Sequence, residues 1–225
     1  MSTESGDGRA DSTRQQILRA AAHQFARRAY HDVGLDDILA EAELTKGAMY
    51  FHFRSKHALA VAIIEQHISG GRVAVEDLLS RHLSGLETLI DFCYLAAVQD
   101  ITSDVARAAS HLLESVGRTT GHQARMLDGW IDMLSGVVER AIAEGDVRQG
   151  CDPRDVGRLI VSMYMGLRQT SDLDDPRRFL LDLERNWGLI LAAVLQPDRA
   201  DYFTQFLRRR TALAIKAAPA QVSAT

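Results

Sequence analysis

The sequence predicts an all-α protein in two parts: a small N-terminal three-helix domain with a helix-turn-helix, and a larger helical domain behind it. Three observations lead there. Apolar residues recur at helical spacing along nearly the whole chain. There are only four prolines and scarcely any strict apolar–polar alternation. Three short periodic segments crowd together near the N-terminus, whereas the later ones are longer.

The first helix is signalled by Thr13 with Gln16, which fits a capping box, and by Ile17, Ala21 and Phe25 at i, i+4, i+8. It should end near Tyr30. A second helix is expected from about Leu35 to Ala42, with Ile38 and Ala42 inward. Glu43 and Leu44 form a tight connection. Thr45 is the natural N-cap of a third short helix, whose core face is Met49 and Phe53. Ser55 then caps a long helix carrying Leu59, Ala62 and Ile63. Gly70-Gly71 is expected to interrupt it, since each glycine costs about 1 kcal/mol against alanine in a helix interior. Further helices are expected at about 84–101, 104–116, 123–144, 153–170, 176–195 and 199–216, about ten in all. Asp152-Pro153 is a cap followed by proline at the first helical position, and Asp175-Pro176 and Pro197-Asp198 mark two more boundaries. Residues 1–11 and 217–225 are small or polar and read as disordered tails, leaving 12–58 as the first domain and 59–216 as the second.

Composition narrows the function. Of the 225 residues, 46% are hydrophobic, enough for a sizeable core. No stretch approaches the roughly 18 apolar residues that a membrane span needs. Met1 to Asp11 lacks an apolar segment of the kind a secretion signal carries, so a cytoplasmic, membrane-free protein is expected. Cys93 and Cys151 have no ligand-like spacing. His111 and His122 are separated by an expected loop, so no metal site and no cofactor are expected. The formal net charge is −4, which at first argues against nucleic acid. Net charge is a whole-chain average, however, and binding DNA requires only a local basic surface. From Ser12 to Lys56 there are seven Lys/Arg against five Asp/Glu, a mild asymmetry that decides nothing alone.

The segment from Thr45 to Phe53 carries the chemistry. A recognition helix must be short, apolar on its inner face and small or polar on its outer face, so that it enters a major groove about 12 Å wide. Thr45, Lys46, Gly47 and Ala48 form its first turn, where base contacts are made. Gly47 and Ala48 permit close approach to base edges and thymine methyls. Tyr50 and His52 can donate to phosphate, and Lys56 adds charge in the first turn of the next helix. The bland readings are a solvated lysine at 46, a surface histidine at 52 and a core aromatic at 50; Met49 and Phe53 already fill the core face.

Leu44 to Phe53, followed by Ser55-Lys56 and Leu59, resembles the recognition-helix signature of TetR-family regulators. Ile17-Leu18, Ala21-Ala22, Phe25, Ile38 and Ala42 match that family's first two helices. Two departures stand out: Gly34 sits where Ser or Thr usually caps the second helix, and Glu43 replaces the usual turn glycine. The Tyr50-Phe51-His52-Phe53 variant, with Val105-Ala106-Arg107-Ala108 and Trp130 further on, resembles the γ-butyrolactone receptor branch of actinomycetes. The resemblance implies a homodimeric repressor that grips double-stranded operator DNA, at positions that include Thr13, Thr45, Lys46, Gly47, Ala48, Tyr50, His52 and Lys56. It also implies release by a small apolar effector, with Trp130 as a pocket wall.

Helical spacing adds Phe92, Leu112, Leu134 and Met163 to that expected pocket, with Ser110, Ser162 or Gln169 to orient a carbonyl. Core packing is the competing reading for Trp130, and core or dimer surface for Trp187. Dimerisation is expected through the helices at 153–170 and 176–195, where Gly157, Gly166 and Gly188 allow close approach. Arg208-Arg209-Arg210 reads as a solvated face opposite Phe203, Phe206 and Leu207. A regulator sensing a different lipid, acyl or drug-like ligand is an alternative. An all-α enzyme is a weaker one, because no acid–base or nucleophile cluster is visible.

Overall fold

Ile17, Ala21 and Phe25 fall on one helical face with Leu18 and Ala22, and all five are buried. They belong to α1 (Glu4–Arg27), which starts well before the expected cap at Thr13. The computed structural model describes residues 4–218, so Met1–Thr3 of the expected tail lie outside the described residues. The rest of that tail, from Glu4, is helical. Once the packed turns around Ile17–Phe25 nucleate the helix, adding polar residues at its N-terminal end requires only propagation. Thr13 is therefore inside a helix. Gln16 is not part of a capping box: its Nε2 donates to the Ala42 carbonyl at 2.8 Å and secures the end of the second helix.

A 3₁₀ turn (Tyr30–Asp32) leads to α2 (Leu35–Ala42), with Ile38, Leu39 and Ala42 buried. Gly34 caps it with extended backbone, and the Asp37 carboxylate accepts from the Gly34 N–H at 3.0 Å. Glu43 ends α2 in the left-handed region, at φ 51° and ψ 40°. A residue with a Cβ pays a steric cost of about 1–2 kcal/mol there, which glycine escapes. The turn still closes, because the Glu43 and Leu44 N–H groups donate to Ala40 and Leu39 carbonyls. α3 (Lys46–His52) and α4 (Lys56–Ser80) follow. α4 runs unbroken through Gly70-Gly71, where the sequence predicted an interruption. Two glycines weaken a 25-residue helix without ending it.

Next come α5 (Gly85–Thr102), α6 (Asp104–Leu112), a single π-helical turn (Leu113–Gly117) and the three-residue α7 (Arg118–Thr120). α8 (His122–Ala143), α9 (Pro153–Thr170), α10 (Pro176–Val194) and α11 (Ala200–Ala217) complete the chain. The Asp152 and Asp175 carboxylates cap α9 and α10, each followed by proline at the first helical position. The expected C-terminal tail lies outside the described residues beyond Ala218.

The helices group into two units that are not consecutive in sequence. The first takes the chain to Arg72 together with Ser103–Arg125; the second takes Val73–Thr102 and Met126 onward. The sequence drew one cut between 58 and 59. The difference arises because α6, with small buried Ala106, Ala108 and Ala109, packs closely on α1. Polar contacts reinforce that packing: Asp104 Oδ2 lies 2.9 Å from His23 Nδ1 and 3.1 Å from Arg27 Nη1. His111 Nδ1 lies 3.1 Å from the Phe25 carbonyl, so this histidine serves the fold.

In the second unit α5, α8, α9, α10 and α11 surround a core that holds Ile90, Phe179, Trp187 and Phe203. Trp187 is thus core, and burial pushes the adjacent Cys93 thiol up to about 12. Three buried carboxylates are matched with arginines: Asp91 with Arg210, Asp100 with Arg168 and Asp146 with Arg199. Breaking such a pair strands a buried charge. Burial also raises the Tyr164 phenol, which donates to Asp100 Oδ2 at 2.7 Å. Gly85 marks a close approach, because a Cβ there would sit 2.5 Å from the Ala141 nitrogen and 2.8 Å from the Val137 carbonyl.

Two opposite stability changes follow. Gly85→Ala should lower the unfolding free energy by about 1–3 kcal/mol, the usual cost of overpacking. Glu43→Gly should raise it by about 1 kcal/mol by removing the left-handed penalty. Urea midpoints at unchanged slope measure both. An unshifted midpoint for Gly85→Ala would mean that α5 and α8 separate without cost.

Candidate nucleic-acid interface

α3 has only seven residues, too few to persist alone in water. It is held by Met49, fully buried, and Phe53, nearly so. Thr45 caps it, with its hydroxyl accepting from the Ala48 N–H at 3.3 Å. The remaining positions face outward. Thr45, Lys46 and Gly47 are exposed, as are Tyr50 and Phe51; Ala48 and His52 are half-buried. An added Cβ at Gly47 would meet only Thr45 Oγ1 at 3.9 Å, so the first turn presents a bare backbone.

Charge at this surface is organised locally. Lys46 Nζ lies 2.8 Å from Asp36 Oδ1, and this hydrogen bond and charge raise the lysine's pKa. Both side chains are largely exposed, so a phosphate can compete for the ammonium at little cost. Arg14 of α1 lies over the Phe53 ring at 5.3 Å. The sequence offered no signal for that contact, because it joins residues 39 positions apart.

The expected contact residues do not all share this surface. Lys56 is drawn inward: its ammonium donates to the Tyr30 and Val33 carbonyls at 2.8 and 2.9 Å and sits 4.5 Å from the centre of the Tyr30 ring. It anchors the start of α4 and does not present a free charge. Thr13 is half-buried within α1. Phe51, which the sequence reading passed over, is the most exposed large apolar side chain of the described residues, at 80%.

The expected effector wall is divided. Leu112 and Ser110 belong to the first unit, where Leu112 is fully buried and the Ser110 hydroxyl donates to the Ala106 carbonyl. Phe92, Trp130, Leu134 and Met163 belong to the second. There the Trp130 and Phe92 rings pack with centroids 5.1 Å apart. Beside them Phe92 and Leu134 line an apolar void with Val75, Leu78, Leu89 and Val137. It leaves about 10 Å³, room for about one water. Met163 packs at the edge of the second unit's core. A wider cleft of about 550 Å³ opens along α10 and α11, bordered by Arg148, Arg185, Gly188, Leu195 and Arg208. Arg208 is thus at a cleft, while Arg210 is committed to buried Asp91, so the triple arginine is only partly a solvated face. No helix of the described residues is long and apolar enough to cross a membrane.

Residues 17–63 match the family model for bacterial regulatory proteins of the tetR family. The A-factor receptor protein of Streptomyces griseus is 31% identical over 191 residues, covering 84% of this chain and 66% of that protein. The chain therefore spans just under two thirds of that relative's length. A crystal structure of a γ-butyrolactone receptor (ArpA-like protein) superposes with a TM-score of 0.79 at 29% identity, over 91% of this chain and 99% of that one. The CprB protein of Streptomyces coelicolor, solved with its biological operator sequence, gives 0.79 at 28% identity over the same shares. The family match spans the segment that buries Met49 and Phe53 and exposes Lys46 and Gly47, and nearly the whole chain follows the build of these receptors: it belongs to the tetR family of bacterial regulatory proteins.

Proposed function

We propose that this chain is a ligand-responsive transcriptional repressor that binds inverted-repeat operator DNA as a homodimer in the cytoplasm and is released by a small apolar effector, butyrolactone-like in chemistry. The observation that carries the reading is α3 itself: two apolar residues buried, and a first turn that leaves Lys46 and Gly47 exposed beside a small, half-buried Ala48. Such a helix fits the major groove, and a two-fold dimer sets two of them on matching half-sites.

The dimer is supported by α9 and α10. Leu189 is 72% exposed and Leu159 is 45% exposed, while Gly166 and Gly188 have open space around them. Gly157 drops out of this set: a Cβ there would lie 3.0 Å from Ser135 Oγ, so it serves the packing of α9 on α8. For the effector, Trp130 and Phe92 supply an aromatic wall, and the void beside them must enlarge to admit a ligand. An effector that binds this enlarged form more tightly than the DNA-bound form shifts the protein off its operator.

Binding to a duplex recovered by selection from random DNA should fall steeply with salt, because phosphate contacts dominate affinity. Lys46→Ala should weaken it about tenfold and reduce the salt slope by about one. Tyr50→Phe should also weaken binding, and helicity should be unchanged in both. A footprint confined to one asymmetric half-site would overturn the dimer reading. Gly188→Glu, at a position with space for the side chain, should give folded monomers by light scattering that lose operator binding. Trp130→Ala should keep DNA binding but no longer release it when an alkyl γ-butyrolactone is added. If Trp130→Ala is instead unfolded by circular dichroism, the tryptophan is structural.

A further inference from the structure

Phe51 adds little to the buried core of the first unit. Met49 and Phe53 fill the inward face of α3, and Phe51 stands between them in sequence with four fifths of its surface in water. Burying a phenylalanine ring is among the larger apolar gains that one side chain can make. A ring so exposed forgoes nearly all of that in the free protein.

Its position on the helix says what it can meet. Gly47 and Ala48 stand four and three residues before it, so the three share one face. Gly47 and the small Ala48 leave this face of the first turn without bulky side chains. The ring is also held: it packs edge-on against His52, with centroids 5.0 Å apart and planes at 88°. A phenyl ring offers no donor for phosphate and no acceptor for a base amine. In the major groove the apolar feature available to it is the thymine methyl group. Lys46, in the same short helix, supplies the charge that holds the backbone nearby.

We propose that Phe51 is a specificity-determining residue whose ring packs on a thymine methyl in each half-site, so that operator choice includes an apolar component. This rests on the DNA-binding reading above and adds a residue and a base to it. Phosphate contacts position the protein without reading sequence, whereas a methyl contact discriminates between bases.

The experiment uses the full-length protein and the duplex selected from random DNA. Thymines are replaced one at a time by deoxyuridine, which removes only the methyl. Removing one buried methyl should weaken wild-type binding about fourfold at one thymine per half-site. Phe51→Ala should bind about tenfold more weakly and be indifferent to that same replacement. Phe51→Leu, which keeps an apolar contact, should retain part of the response. If Phe51→Ala loses affinity yet still responds to deoxyuridine as wild type does at every thymine, the inference falls while the DNA-binding reading stands. If Phe51→Ala binds normally, or changes the oligomeric state on sizing, the ring belongs to another contact and the inference again falls. If selection enriches no sequence at all, both readings fall together.

Discussion

A helix of seven residues has no stability of its own, and the surface proposed to face DNA depends on how that deficit is met. Met49 and Phe53 meet it by burial against the first unit's core. Because they hold one side of α3, Lys46, Gly47, Tyr50 and Phe51 are left exposed. The first turn can then be made of a lysine, a glycine and an alanine, residues chosen for what they leave uncovered. The same constraint explains why α2 and the turn before α3 are secured so tightly. Gln16 donates to the last carbonyl of α2, Asp37 accepts from the N–H of its cap Gly34, and Lys56 fastens the start of α4 to the loop before α2. Each of these polar groups acts on backbone, and together they fix where α3 begins.

Glu43 shows the cost of that arrangement. The turn requires a left-handed residue, and this chain places a carboxylate-bearing side chain there. The strain is local and is offset by backbone hydrogen bonds to Leu39 and Ala40. Removing it should stabilise the protein and also remove an acid close to the start of α3.

The second unit follows a different rule. Its core is conventional in its aliphatic and aromatic content, but three carboxylates are drawn into it, each matched by an arginine from another segment. Asp91 ties α5 to α11, Asp100 ties α5 to α9, and Asp146 ties the loop after α8 to the turn before α11. Burial raises the Asp91 pKa despite the Arg210 guanidinium beside it, a sign of how much water has been displaced there. Such pairs add little net stability but penalise any packing that separates them. Tyr164 joins one of these pairs through Asp100, so a polar cluster sits in a domain whose sequence suggested an apolar one.

The all-α class, the helix boundaries at Asp152-Pro153 and Asp175-Pro176, and the inward and outward faces of α3 were legible in the sequence. Those features are local: they follow from a 3.6-residue period, a capping side chain or a proline, and need no knowledge of what packs where. The long-range features were not legible. That α6 joins α1 and α2, that Gln16 serves the end of α2, that Lys56 turns inward and that Gly157 seats α9 on α8 all join residues 22 or more positions apart or depend on the direction of one side chain. The aromatic pair Phe92–Trp130 and the narrow void beside it belong with them, since helical spacing shows which residues share a face but not how near two faces come. Sequence alone determined the elements and the two chemically distinct faces of α3. The tertiary structure decided which charges remain free to act, because a lysine's reach spans several ångströms and only its neighbours determine what it meets.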